Sequence, residues 1–453
     1  MMAMQLSQAT EVLEGRLSGD DVAFRGISTD TRTLAPGSLY IALQGPNFDG
    51  HAFIENAREQ GAVAAAVNRR CDSTLPQMEV PDTRLALGRL GAFWRQQFSL
   101  PVVAITGSNG KTTVRAMTES ILSGCGHALS TQGNLNNDIG LPLTLARLGP
   151  DDEYAVLELG ANHPGEIDYL AGLAQPTIAV VTNAGPAHLE GFGDLEGVAR
   201  AKGELFSRLD AEGTAVINAD DVFAPLWREL ASHCRVVDFG LDSDAAVMAQ
   251  WTGDSRGSDL VLKTAQGEIE LRLPLPGRHN VMNALAASAV AQAAGADLVA
   301  IKRGLESLSP VAGRFNIHSL PGEITVIDDT YNANPESLQA ALDVLTLSND
   351  DSWLVLGDMG ELGAAAAELH AAAGRQARAA GVTRLYGLGE LAQQAVAAFE
   401  GPGGAFLSMD ELLEALHADL YGPLHILVKG SRSMGMEQVV AALGADAASG
   451  GKH

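Results

Sequence analysis

Residues 100–113 read Leu-Pro-Val-Val-Ala-Ile-Thr-Gly-Ser-Asn-Gly-Lys-Thr-Thr, and their order decides the fold. An apolar strand runs to Thr106, a glycine-rich turn breaks it, and a helix opens at about Thr112. This is the setting in which a loop cradles phosphate. Gly107 and Gly110 let the backbone turn its N–H groups inward, and Ser108, Asn109 and Thr113 complete the lining. Lys111 can reach the β- and γ-phosphates, and Thr112 can offer a hydroxyl to Mg2+. The common form of such a loop carries glycine five residues before the Gly-Lys pair; this chain has Ile105 there, so the loop is a shorter variant. The bland reading is a glycine-rich turn with an incidental lysine, and the order strand, loop, Gly-Lys-Thr-Thr and helix makes it the weaker one. No G-x-G-x-x-G occurs in this first turn, which favours ATP over a dinucleotide.

Around the loop, apolar strands recur at residues 154–159, 177–182, 214–218 and 236–239 with helical stretches between them. That alternation predicts a parallel sheet covered on both faces. From Ala245 to Leu275 short strands alternate around Gly267, which predicts an antiparallel edge addition. Upstream, residues 38–43 read as a strand, 61–67 as a buried element and 83–98 as a connecting helix. After Gly313 the α/β rhythm restarts, with strands at 324–328, 353–357, 384–387 and 425–429; residues 447–453 look frayed. The fold class is therefore α/β in three domains. Residues 1–82 form a small α/β domain, 83–313 a central P-loop mononucleotide-binding domain with 83–99 as connecting helix, and 314–453 a Rossmann-like domain.

Composition agrees with that division. The 453 residues make about three domains at roughly 150 residues each. Thirty basic against 55 acidic side chains leave a net charge of −25, which argues against a nucleic-acid partner or a membrane surface, since both need a broad basic face. Cys71, Cys125 and Cys234 form no C-x-x-C pair and read as reduced thiols of a cytoplasmic protein. Glu11, Glu14 and Arg16 interrupt any signal peptide. The uncharged stretch at residues 279–296 is alanine-rich with Asn280, Asn283, Ser288 and Gln292, a packed helix and not a membrane span.

Two residues stand where the central strands end. Glu158 closes one strand and His188 lies in the loop after the next, both on the sheet edge where open α/β sheets bind ligands. Glu158 reads equally as a salt-bridge partner, and a loop histidine is more often a surface or capping residue. Side by side next to a triphosphate they point to a second Mg2+. Lys202 by itself is an ordinary snorkelling lysine. Residues 328–337, Asp-Asp-Thr-Tyr-Asn-Ala-Asn-Pro-Glu-Ser, make a polar strand-to-helix turn with Asn334-Pro335 as the helix start.

These segments together resemble the Mur ligase family, ATP-dependent amide-forming enzymes of peptidoglycan precursor synthesis. The loop at 106–113 is similar to its ATP motif, and the Glu158, His188 and Lys202 segments follow in the order of its metal-site blocks. Arg278-His-Asn-Val-Met-Asn283 resembles its adenine block, implying that Asn280 or Asn283 bonds the base, and Gly313-Arg314-Phe315 implies an arginine reaching the phosphates. The resemblance implies Lys111, Lys202, His188 and Glu158 as catalytic residues, Mg2+ at two sites held by Thr112, Glu158 and His188, and carbamylation of Lys202 by CO2. It implies a uridine-nucleotide site in the first domain, with Ser28, Arg32, Asp49 and His51 as candidates beside Asn137 and Asn162. Residues 328–337 and 357–363 resemble the member that adds D-alanyl-D-alanine to a UDP-N-acetylmuramoyl-tripeptide, implying that Asp329, Tyr331, Asn332 and Asn334 position nucleotide and dipeptide. The runner-up is the member adding a diamino acid, whose Asn-Pro-Arg signature is absent here; a rival of another class is a nucleotide-switched binding module. The expected state is a monomer.

Overall fold

The computed structural model describes residues 1–186, 189–309, 311–348 and 350–444. His188 and the tail at 447–453 lie outside them. No helix among the described residues is long and apolar enough to cross a membrane.

The central sheet has six strands, in the spatial order Ala128–Ser130, Tyr154–Glu158, Val102–Thr106, Ile178–Val181, Thr214–Asn218 and Arg235–Phe239. Every neighbouring pair is parallel. Strand Val102–Thr106 is buried along its whole length, with Val102 and Ala104 packed into one core and Val103 and Ile105 into another. A strand covered on both faces is continuously apolar for this reason. It begins at Val102, two residues later than expected, and the helix begins one residue earlier, at Lys111. Ala128–Ser130, three residues at the sheet edge, left no signal in the sequence because it is too short to show a period.

The antiparallel strands Met248–Asp254, Gly257–Thr264 and Gly267–Leu273 form a sheet of their own. A single bridge, Phe239 with Val247, joins that segment to the parallel sheet. Between the two lies the helix Arg278–Ala293, buried at every position from Asn280 to Ala291 except Met282. Its alanines are what let both sheets approach so closely; the helix has no amphipathic face because it has no wet side.

The C-terminal sheet runs Asn316–Leu320, Ile324–Asp329, Leu424–Lys429, Asp351–Gly357, Arg384–Leu388 and Gly403–Phe406. The first pair is antiparallel and the rest parallel. Asn316–Leu320 and Gly403–Phe406, at the two edges, are additions to the four strands expected. Residues 1–82 form a five-stranded mixed sheet with two small two-stranded ribbons, and the helix Thr83–Arg95 follows, capped by Asp82.

Candidate active site

The phosphate loop sits where the strand order of the central sheet reverses, at the carboxyl ends of Val102–Thr106, Tyr154–Glu158 and Ile178–Val181. Its glycines are obligatory. Gly107 and Gly110 hold φ of +148° and +83°, and a Cβ on them would overlap Thr182 Oγ1 and Asn283 Oδ1 respectively. Gly110→Ala is therefore expected to weaken ATP binding at least about tenfold and to cost about 1–3 kcal/mol of stability, measurable by nucleotide titration and thermal melting; unchanged ATP affinity would contradict the close packing of the loop on Asn283.

Loop conformation is fixed from the next strand. Ser108 N–H donates to Asn183 O at 3.0 Å, Asn109 N–H donates to Asn183 Oδ1 at 2.8 Å, and Thr182 Oγ1 donates to Asn109 O at 2.6 Å. Ser108 Oγ donates to Gly185 O at 3.0 Å. The helix Lys111–Leu122 starts on Gly110 with no side-chain cap, so its first N–H groups are open to an anion. Lys111 curls over the loop, its Nζ donating to Gly107 O at 2.7 Å, and burial holds its pKa below the ordinary lysine value, with Glu158 opposing.

Glu158 is almost wholly buried and accepts from Thr112 Oγ1 and Asn136 Nδ2, each at 2.9 Å. Arg314 Nη2 donates to the same Thr112 hydroxyl at 3.3 Å, while its Nε is buried without a partner among the described residues. Lys202, from the helix Leu195–Gly203, is 1% exposed. Burial pushes its amine well below the ordinary value, with Lys111 adding to the effect. Among the described residues no three His, Cys, Asp or Glu side chains gather as a metal group. Thr112 and Glu158 are nevertheless hard oxygen donors with a buried negative charge between them, the donor type Mg2+ takes.

Two cavities meet at this loop. The smaller, about 320 Å3, is lined by the phosphate loop, Asn280, Asn283, His279 and Asp329. Asn280 Nδ2 donates to Pro276 O at 2.8 Å, and burial lowers His279 to about 4, leaving it neutral at pH 7. The larger, about 1150 Å3, takes in Glu158, Asn137, Asn162, Tyr331 and the turns after three C-terminal strands. Lys111, Arg314, Asn332 and Asn334 line both.

The C-terminal unit reaches into the loop. Asn334 caps the helix Pro335–Leu345 through a capping box with Ser337, and its Nδ2 also donates to Asn109 Oδ1 at 2.7 Å. Asn109 Nδ2 in turn donates to Glu336 Oε2 at 3.1 Å. Burial, with Asp221 adding to it, raises the Glu336 carboxyl above the usual range. Asp329 is ion-paired with buried Lys429, which also donates to Asn332 O at 2.9 Å and so fixes the turn.

Of the first-domain candidates, Ser28 bonds to Asp30, Arg32 pairs with Asp30, and Asp49 pairs with His51 and Arg69. None of the four lines either cavity. Asn137 Oδ1 accepts from Gly140 N–H at 2.8 Å, and Asn162 N–H donates to Glu166 Oε2 at 2.7 Å. Sequence reasoning passed over Asn136, Asn183, Glu336, Lys429 and Arg432. Asn183 and Lys429 had a signal, since each stands at or just beyond the carboxyl end of a strand; the others had none.

Among known proteins, residues 23–94 match the Mur ligase family catalytic domain, 105–291 the Mur ligase middle domain and 313–432 the Mur ligase glutamate ligase domain. The UDP-N-acetylmuramoyl-tripeptide--D-alanyl-D-alanine ligase of Escherichia coli K12 is 46% identical over 450 residues, covering 98% of this chain and 99% of its own. A crystal structure of MurF from Acinetobacter baumannii superposes with a TM-score of 0.92 at 37% identity, covering 98% and 99% of the two chains. MurF ligase from Thermotoga maritima, solved in complex with ADP, gives 0.82 at 27% identity over 92% of this chain and 97% of its own.

Proposed function

The chain belongs to the Mur ligase family, and from that premise we propose that its two cavities are two halves of one reaction path, ATP in the smaller and the peptide substrates in the larger. The protein joins D-alanyl-D-alanine to UDP-N-acetylmuramoyl-tripeptide, with ATP going to ADP and phosphate. The observation that carries the arrangement is that Lys111 and Arg314 line both cavities, so the end phosphate of ATP and a substrate acid would meet at the phosphate loop.

A carboxylate is a poor acyl donor because its leaving group would be oxide. The tripeptide's terminal carboxylate oxygen therefore attacks the γ-phosphorus, and the bond to the β,γ-bridging oxygen breaks, leaving ADP and an acyl phosphate. Anions crowd together in this step, and Lys111, Arg314 and the loop amides offset their repulsion. The dipeptide amine, once deprotonated, then attacks the acyl carbon; the C–O bond breaks and phosphate leaves. Thr112 and Glu158, with a carbamate formed on Lys202, would hold Mg2+, which supplies further charge neutralisation at the phosphates. The low pKa of Lys202 supports that modification, since only a neutral amine adds to CO2. Asn280 and Asn283 would bond the base, and residues 1–82 would hold the uridine end.

Incubation with ATP, a set of UDP-muramoyl peptides, and amino acids or D-alanyl-D-alanine, read by mass spectrometry, tests this. The expected product is the tripeptide precursor extended by the dipeptide, with phosphate released only when both are present. Extension of a dipeptide precursor by a diamino acid, or steady hydrolysis with neither substrate, would overturn it.

A further inference from the structure

His370 is a titratable side chain that neither step of the ligation uses, and it is wholly buried. It stands one turn into the helix Ala366–Ala380, and both ring nitrogens are engaged. Met359 N–H donates to Nε2 at 2.8 Å, and Nδ1 lies 2.7 Å from Ala366 O. A backbone N–H can only donate and a carbonyl can only accept, so the ring carries its proton on Nδ1 and none on Nε2. The imidazole is thus a strut between the helix and the chain at Met359.

The strut bears on the turn that leaves the strand Asp351–Gly357. Gly360, Glu361 and Leu362 of that turn line the larger cavity, whereas Met359 and His370 stand behind them and do not. The root of the turn is fixed at Asp358, whose Oδ1 accepts from Ala392 N–H at 2.7 Å and whose N–H donates to Leu388 O at 3.2 Å. Asp358 O accepts from Ser431 N–H at 3.0 Å, which ties this turn to the run Ser431-Arg432-Ser433 on the same cavity wall. Met359 and Leu362 pack into the domain core. Between them Glu361 holds φ of +61°, a left-handed conformation that a residue with a side chain keeps where its surroundings impose it. Without an acceptor on His370, the buried Met359 N–H would be left unpaired, a state the chain relieves by moving. Movement there shifts the turn, and through Asp358 O the neighbouring one.

We propose that His370 is a positioning residue for the incoming D-alanyl-D-alanine: it does not touch the dipeptide, but it fixes the two turns over which the amine approaches the acyl phosphate. This rests on the reading of the larger cavity as the peptide site. It also divides the reaction in two. Formation of the acyl phosphate needs ATP and the tripeptide precursor alone and is independent of His370. Attack by the amine depends on it, because a misplacement of about 1 Å costs up to about 100-fold.

Three substitutions separate the bond to Met359 from the bulk of the ring. Glutamine reaches about as far as Nε2 and can accept from Met359, asparagine is long enough only for the bond to Ala366 O, and phenylalanine fills the volume and accepts nothing. His370→Gln is expected to keep kcat/KM for D-alanyl-D-alanine within about threefold, while His370→Asn and His370→Phe lower it about 10- to 100-fold, with KM rising more than kcat falls. Acyl phosphate trapped with hydroxylamine, in the absence of the dipeptide, should form at the unmodified rate in all three. Should His370→Phe fail to fold, His370→Asn carries the test alone. Equal losses of trapping and ligation in His370→Asn overturn the proposal, because they mark a merely structural role, and so does undiminished ligation. Failure of His370→Gln to exceed His370→Asn overturns it too. Absence of hydroxamate in the unmodified enzyme would instead sink the reading of the cavities, and the proposal with it.

Discussion

Lys111→Ala is expected to lower kcat/KM for ligation by about a thousandfold or more, and to abolish trapping of the acyl phosphate to the same degree. The lysine is the cation common to the phosphate loop and both cavities, and its half-buried amine lies over the loop carbonyls, where burial lowers its pKa. A charge in such a setting acts on developing negative charge with little screening, which is why single-group deletions there cost two to three decades or more. Arg314 remains in the variant but cannot replace it, since its Nη2 is committed to Thr112 Oγ1. Single-turnover phosphate release measures the loss at the chemical step. Ligation at an undiminished rate would remove the phosphate loop from the mechanism.

Lys202→Met has the second largest expected effect, and it moves activity and stability in opposite directions. Ligation should fall by about 100- to 1000-fold, because Met cannot form the carbamate proposed for this position. Stability in CO2-free buffer at neutral pH should rise. The amine is buried, has no carboxylate partner among the described residues, and is held well below its value of 10.5. An amine whose folded-state pKa lies below its unfolded value costs stability at all pH below the unfolded value, and the cost fades as pH rises toward it. The stabilisation by Met should therefore be largest near neutrality and below, and shrink as pH approaches 10.5. Paired melting curves across pH check this, as does bicarbonate, which should stimulate the unmodified enzyme and not the variant. A destabilised variant at pH 7, or an active one, would contradict the assignment.

The phosphate loop was legible in sequence because strand, glycines, lysine and helix start are contiguous, and each residue type has a local reason to be there. Glu158 was legible for its place at a strand end, although the sequence left open a simple salt bridge. What it accepts from, Thr112 and Asn136, could not be read, since the partners lie 46 and 22 residues away. The contacts Asn109–Glu336 and Asp329–Lys429 span 227 and 100 residues; no periodicity in the chain encodes them. Short edge strands such as Gly403–Phe406 escaped for the opposite reason, being too brief to show an alternation of their own. The antiparallel strands around Gly267 were visible by their pattern, but their separation into an independent sheet depends on a helix wedged between layers. The resemblance supplied order among the motifs; geometry supplied who touches whom.

The helix Arg278–Ala293 is enclosed on nearly all sides from Asn280 onward. Most helices in a protein drift freely along their outward side, accepting neutral substitutions there. This one has no such reserve. Any added methyl group would wedge two layers apart and shift Asn280 and Asn283 with them, so a larger residue fits here only by compensated repacking of both neighbours at once.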